Sequence, residues 1–291
     1  MTLPTGAISF SDINTELGLQ ATAPLTLDAN LVRRVASAGN TGVQTTSGTT
    51  IAMNQLQGHA YAQYQNGGTV ADVNLVSAFT SSGHYAAGKT YGVVTNSGTI
   101  GASSTGAYAL NASFSNGDIL VIQNSGYIVG AGGDGGHGAF TLQGGFNGGN
   151  AIYAIGQGQA FIQMQNSGVI GSGGGGGSGG NWAQDTQNQN RWPIPGGGGG
   201  GGAGYVGGAG GAAGQTGYYG AANGQAGSVS SGGSGGSGGG QGAQAGASGG
   251  SLGNYGSSAG SSGGAPGYSV VGSNWFVGGV SGTVYGSTTT S

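Results

Sequence analysis

The sequence predicts a mainly β protein with a small helical N-terminal module and a glycine-rich C-terminal domain of packed polyglycine-II helices. Three observations predict it. Helix-capping patterns mark the first sixty residues, β-rich segments follow of which three end in a repeated Asn-Ser-Gly corner, and a later tract places glycine at period three in short runs. Glycine fills 76 of 291 positions and charged residues only 4%, where ordinary domains carry about a quarter charged. Five prolines exclude collagen, a net charge of −3 is too small for charge-driven disorder, and four Lys plus Arg are too few for electrostatic binding of nucleic acid. With no cysteine, disulfide frameworks and thiolate metal sites are excluded.

Residues 1–60 read as the helical module. In ISFSDINTELG, the hydroxyl of Ser9 or Ser11 caps a short helix and Gly18 suits its left-handed stop. In TLDANLVRRVASAGN, Asp28 caps a second helix whose face carries Leu31, Val32 and Val35 and which ends near Gly39. A third turn runs through Met53, Asn54, Gln55 and Leu56 to Gly58. The first residues lack the basic and apolar regions of a secretory signal. No apolar stretch approaches the ~18 residues that a membrane span needs, so insertion into a membrane is not expected.

Residues 61–171 read as a β-domain. The segments TVADVNLVSAF, KTYGVVT, AYALNASF, DILVIQ, AIYAIG and AFIQMQ are rich in β-branched and aromatic residues between Gly, Asn and Ser. The corner device recurs as TNSGTIG at 95–101, QNSGYIVG at 123–130 and QNSGVIG at 165–171. Asn and Gly tolerate positive φ, so the corner is expected to use it, returning Ile100, Ile128 and Ile170 to one apolar layer. The repeats are unequally spaced, which predicts a compact β-domain with recurring corners in place of a strict solenoid.

Residues 172–291 form the third region. From Gly196 to Pro266 only Val206, Val229 and Leu252 represent the Val, Ile, Leu and Phe set. Glycine loses the most entropy on ordering, and side-chain burial cannot offset that here. Backbone hydrogen bonds can. A polyproline-II-like helix has three residues per turn and no internal bonds, so its N–H and C=O groups point sideways. Glycine runs such as 201, 204, 207, 210 and 233, 236, 239, 242 would let neighbouring helices approach closely enough to bond. A flexible Gly/Ser linker is the competing reading. Against it stands the apolar ending GYSVVGSNWFVGGVSGTVYG, in which Trp275, Phe276, Val277 and Val280 are placed to dock on the β-domain.

The opening pattern I-x-x-x-x-INTELG, L-x-x-x-x-VRR-x-A, IAMNQLQG resembles a helical module found at the start of tailed-phage virion proteins. The sequences VIQNSGYIVGAGGDGG and MQNSGVIGSGGGGGSGG, with the tract after them, are similar to the glycine-rich receptor-binding tips of tailed phages. The resemblance implies a virion adhesin at a tail fibre or tail tip, made in the host cytoplasm. It would be mounted on other virion tail proteins through the module, and would recognise a host surface protein or glycan through loops at the end of its polyglycine-II helices. It leaves open whether the protein is a homo-oligomer (trimer) or a monomer capping a fibre. A purely structural virion component is the alternative, and an ice-binding protein a third.

No enzyme chemistry is expected. Glu16 is the sole glutamate, the aspartates at 12, 28, 72, 118, 134 and 185 are scattered, and His59, His84 and His137 lack metal-ligand spacing. No cofactor is implied. Asp134 and His137 in GGDGGHG read either as an acid–base pair or as a polar turn. The stretch NWAQDTQNQNRWPIP, 181–195, breaks the glycine pattern and is the candidate receptor-binding loop, with Trp182, Asp185, Arg191 and Trp192. Its tryptophans read either as exposed contacts or as buried anchors. Tyr218 and Tyr219 form a second candidate turn. Trp, Tyr and Arg dominate binding hot spots, and Pro193 and Pro195 would stiffen the loop exit.

Overall fold

The computed structural model describes residues 2–27, 29–39, 51–138, 143–154, 161–185, 193–215 and 219–290. The protein is mainly β. Helix α1 (Phe10–Glu16) begins in a capping box, with the Ser9 hydroxyl accepting from the Asp12 N–H and the Asp12 carboxylate from the Ser9 N–H. Gly18, at φ +71°, follows its end. Helix α2 (Asn30–Ser37) has Ala29 at its N-cap and no side-chain cap, while Asp28 lies outside the described residues. A 3-10 turn at Met53–Leu56 completes the module.

The strands wind as a solenoid, which corrects the sequence reading. The first coil holds β1 (Ala60–Asn66), β2 (Thr69–Ala71) and β3 (Val73–Asn74). The second holds β4 (Thr90–Asn96), β5 (Thr99–Gly101) and β6 (Leu110–Asn111), and the third β7 (Ile119–Asn124), β8 (Tyr127–Val129) and β9 (Ile152–Tyr153). In the fourth coil, β10 (Phe161–Asn166) and β11 (Val169–Gly171) are followed by a short hairpin, β12 (Ala183–Gln184) and β13 (Pro193–Ile194), and then by β14 (Tyr268–Val271). The chain ends in β15 (Thr283–Tyr285) and β16 (Ser287–Thr289). Three sheets result, ordered β1-β4-β7-β10, β15-β11-β8-β5-β2 and β16-β14-β9-β6-β3, and all their pairings are parallel. The repeat spacing is unequal because the chain leaves the solenoid twice between the second and third sheets, for residues 130–150 and 172–267.

Each corner is held by its asparagine. Asn66 donates to Asn96 (2.8 Å), Asn96 to Asn124 (2.7 Å), Asn124 to Asn166 (2.7 Å), and Asn166 to the Ser281 carbonyl (3.0 Å). The ladder therefore crosses five coils, and the first and last corners, QNGGT and VSGTV, depart from Asn-Ser-Gly in sequence. Contrary to expectation, Gly98, Gly126 and Gly168 do not adopt positive φ. They are glycine for space, because an added Cβ would lie 2.0–2.1 Å from the carbonyl oxygen of the coil below. Val70, Ile100, Ile128, Ile170 and Val284 stack in register behind the corners, with the three isoleucines fully buried.

A second correction concerns TVADVNLVSAF, which ends as helix α3 (Leu75–Ser81) capped by Asn74, whose side chain accepts from the Ser77 N–H. The helix lies on the first coil and sends Phe79 inward over Gly92, where a Cβ would meet the ring at 2.7 Å. The helical module packs on the outer face of the first sheet, with Ile13, Val32, Val35 and Leu56 against Tyr61, Tyr91 and Val121. Glu16 accepts from the Tyr61 N–H (2.8 Å), occupying a backbone donor of edge strand β1. The C-terminal segment docks on the solenoid as its sequence suggests: Val270 and Phe276 join the core and Trp275 and Val280 pack on it, although Val277 is exposed.

His59 is buried where module and solenoid meet, its Nδ1–H donating to the Val35 carbonyl (2.7 Å). Burial lowers its pKa, opposed in part by that hydrogen bond. A lowered histidine pKa gives stability present above the ordinary value, about 6.5, and lost as pH falls through the folded value. Thermal stability is therefore expected to fall as pH drops from 7.5 to 5, and His59→Gln should flatten that dependence. An identical pH profile in the variant would show that His59 does not carry it.

The two excursions form one bundle. Residues 197, 200 and 203 donate to Gln244, Ala247 and Gly250; residues 198, 201 and 204 to Ala222, Gln225 and Ser228; and residues 199, 202 and 205 to Gly136, Gly133 and Gly130, all at 2.7–3.0 Å. The donor direction thus returns every third residue. Segments 172–180 and 196–204 are central, each bonded to six neighbours. The bonding network forms three layers: 143–150, 130–138 and 206–214; then 262–267, 172–180, 196–204 and 222–228; then 254–258, 243–250 and 232–239. The central segments contain only Gly, Ser172, Ser178 and Ala203. A Cβ on Gly175 or Gly201 would come within 1.8 Å of a neighbouring carbonyl oxygen.

Candidate functional site

The bundle has two ends. At one, residues 130, 149, 172, 205, 228, 251 and 267 adjoin the solenoid. At the other gather the described residues that flank the connections: 138 and 143, 180–185 and 193–196, 214–215 and 219–222, 239–243, and 258–262. Their proximity follows from the pairing of Gly138 with Ala212, Gly180 with Gly197, Gly239 with Pro195, Gln244 with Asn181, and Ala259 with the Ser178 hydroxyl. Gly240, Gly242 and Gly260 adopt positive φ there, marking tight reversals.

The connection 181–195 rises on the antiparallel β12–β13 hairpin, with Gln184 opposite Pro193. Its exit is wedged into the frame: Ile194 is fully buried, and Pro195 lies against Gly214 and Gly239. Trp182 is 43% exposed, whereas Asp185 is 1% exposed. The Tyr219 hydroxyl donates to the Asp185 carboxylate at 2.6 Å, joining the two candidate elements across 34 residues of sequence. Tyr219 precedes Gly220, which bridges to Gln215. Arg191, Trp192 and Tyr218 lie outside the described residues.

Asp134 and His137 are polar partners of the frame. Asp134 accepts from the Ala209 N–H (2.7 Å) and His137 Nδ1 from the Ala212 N–H (3.0 Å). Asn147, Asn150 and Asn223 act likewise on Ala265, Tyr268 and Ala213. Residues at the bundle surface thus satisfy backbone donors that have no backbone partner there. Sequence reasoning missed this role; its signal was an Asp or His three residues apart within glycine. Asp134→Ala should cost about 1 kcal/mol, read as a modest drop in melting temperature.

Among the described residues no three His, Cys, Asp or Glu side chains come together to hold a metal ion, and no helix is long and apolar enough to cross a membrane. A shallow groove of about 250 Å³ lies on the module side, lined by Asn30, Leu31, Arg34, Tyr91, Val93, Val121 and Gln123. It falls below the ~300–1,000 Å³ of sites that enclose small ligands.

A rigid backbone-bonded frame that displays irregular loops at one end, carried by a solenoid with a packed helical module on another face, has the build of an adhesive tip. Comparison with known proteins makes this specific. The family described as phage tail fibre adhesin Gp38 matches residues 62–289, and the chain belongs to that family. The protein is a receptor-binding adhesin of a phage tail fibre, and its place is the virion tail. Its structure is similar to the crystal structure of the gp37-gp38 adhesin tip complex of the bacteriophage S16 long tail fiber, with a TM-score of 0.53 and 20% identity over 91% of this chain and 100% of that one. At that identity the likeness is one of fold. No curated protein matches the chain.

Proposed function

We propose that the glycine bundle is a sandwich of polyglycine-II helices that presents the connections at its far end to the host surface receptor. The observation that carries this reading is the convergence of the glycine-free 181–195 loop and the 215–220 turn at the end away from the solenoid. The three-residue cycle of donors supports the helix type, since three residues per turn returns each N–H to the same neighbour. The contact region comprises Trp182, Asp185, Arg191, Trp192, Tyr218 and Tyr219. The exposed indole of Trp182 and the clamped exit at Pro195 fit a preorganised surface that costs little to order on binding.

The helical module, 1–60, mounts the chain on another tail-fibre protein, a role consistent with the gp37 partner in the similar complex. On this reading the molecule works by binding alone, on a host surface protein or glycan. The test is an Arg191→Ala, Trp192→Ala double variant. Losing a hot-spot aromatic typically costs about 2 kcal/mol, so host-cell affinity should fall roughly thirtyfold at unchanged melting temperature. Unchanged binding would remove this loop from the site, and joint loss of stability would make the pair structural.

A further inference from the structure

We propose that Asp185 is a positioning residue, locked to Tyr219 so that the loop and the turn present one surface to the receptor. This rests on the reading of these elements as the contact region. Three observations lead to it. Asp185 is 1% exposed, so its carboxylate faces protein and not solvent. Its Oδ2 accepts a short, charge-assisted bond of 2.6 Å from Tyr219. The exit side of the loop is already held to the turn, because 196–204 bonds to both 206–214 and 222–228, but its entry side, which continues 172–180, bonds to neither. The bundle backbone therefore leaves the entry side of the loop without a bond to the turn, and the Asp185–Tyr219 bond supplies that tie directly.

The consequence is a population effect. A receptor that contacts both elements binds only when they are correctly placed, and its apparent affinity scales with that fraction. Cutting the tie should lower affinity by displacing the two elements, since the Tyr219 hydroxyl is engaged by the buried Asp185 carboxylate. Tyr219→Phe deletes only the hydroxyl. If the competent arrangement then drops to about a tenth of the population, host-cell affinity falls about tenfold.

The experiment measures host-cell affinity, melting temperature and backbone hydrogen exchange for the full-length chain and for Tyr219→Phe, Asp185→Ala, Asp185→Asn and the Asp185→Ala, Tyr219→Phe double variant. The expected result is lower affinity in both single truncations, no further loss in the double variant, and partial rescue by Asp185→Asn, which keeps an acceptor oxygen. Exchange should rise at residues 183–185 and 219–222 while the main unfolding transition stays in place. Additive losses in the double variant, or unchanged affinity in Tyr219→Phe, would overturn the positioning role. Trp182→Ala separates the two readings. If it and the Arg191, Trp192 variant all leave binding intact, the contact region is elsewhere; if they weaken binding and Tyr219→Phe does not, only the tie is wrong.

Discussion

Gly201→Val is expected to unfold the glycine bundle. Gly201 lies in a central segment, and the first added carbon would sit 1.8 Å from the Gly208 carbonyl oxygen. That oxygen belongs to backbone, so no side-chain rotation relieves the clash. Segments 196–204 and 206–214 would have to separate, loosening the bonds from Gly208 to Gly202, Gly211 to Gly199 and Gly214 to Gly196. A core hydrogen bond is worth about 1 kcal/mol net and more when its groups are left buried and unpaired. With the displacement passed on to the other neighbours, the cost should exceed about 4 kcal/mol, in the exceptional range for one substitution. Gly211→Val, with its Cβ 2.1 Å from the Gly136 oxygen, should act similarly at a smaller cost because that segment is peripheral. Gly106→Ala is the control, since nothing lies within 4 Å of its added carbon. Thermal unfolding reads all three; a Gly201→Val protein melting like the unchanged chain would mean that the bundle is not close-packed.

The second large effect is expected at Asn96. Its side chain is fully buried, accepts from Asn66 at 2.8 Å, and donates to Asn124 at 2.7 Å and to the Tyr127 carbonyl at 3.1 Å. Asn96→Ala leaves the Asn124 Oδ1 acceptor without its donor and removes the bonds to Asn66 and to the Tyr127 carbonyl, although Asn66 keeps longer contacts to the Gly68 and Thr99 carbonyls (3.3 Å each). At about 1–3 kcal/mol for the orphaned buried acceptor and about 1 kcal/mol for each of the two other lost bonds, the total is about 3–5 kcal/mol. Asn96→Asp should rescue little, because its carboxylate cannot donate to Asn124. Asn166, less buried at the far end of the ladder, should cost less when truncated. Equal losses at Asn96 and Asn166 would argue that the ladder is not cooperative.

The parts of this fold that were legible in the sequence are those governed by local chemistry. Ser9, Asp12 and Gly18 mark a helix through its own caps. The glycine period marks the bundle because its backbone donors return to the same neighbour every third residue, at positions where an added Cβ would clash. The solenoid was hidden for a different reason. Its coils are equal in space but not in sequence, since residues 130–150 and 172–267 are inserted between the second and third sheets. The outer copies of the corner had also drifted, to Asn66-Gly67-Gly68 and Ser281-Gly282. Helix α3 reads as strand in the sequence because Val73, Leu75, Val76 and Phe79 are apolar at short spacing, a pattern that masks the Asn74 cap. In the proposed contact region, Trp182 and Tyr219 stand out in the sequence as aromatics that break the glycine pattern. The burial of Asp185 was not, because it depends on a partner 34 residues away.

The central claim is that this adhesin meets its host with the loop end of the glycine bundle. Its most direct test is hydrogen exchange of the full-length chain, free and bound to envelope from susceptible host cells. Binding is expected to slow exchange at residues 181–185 and 219–222, with α1, α2 and the outer face of β1, β4, β7 and β10 unchanged. Protection confined to the helices or that sheet face, with the loop end exchanging as in the free protein, would contradict it.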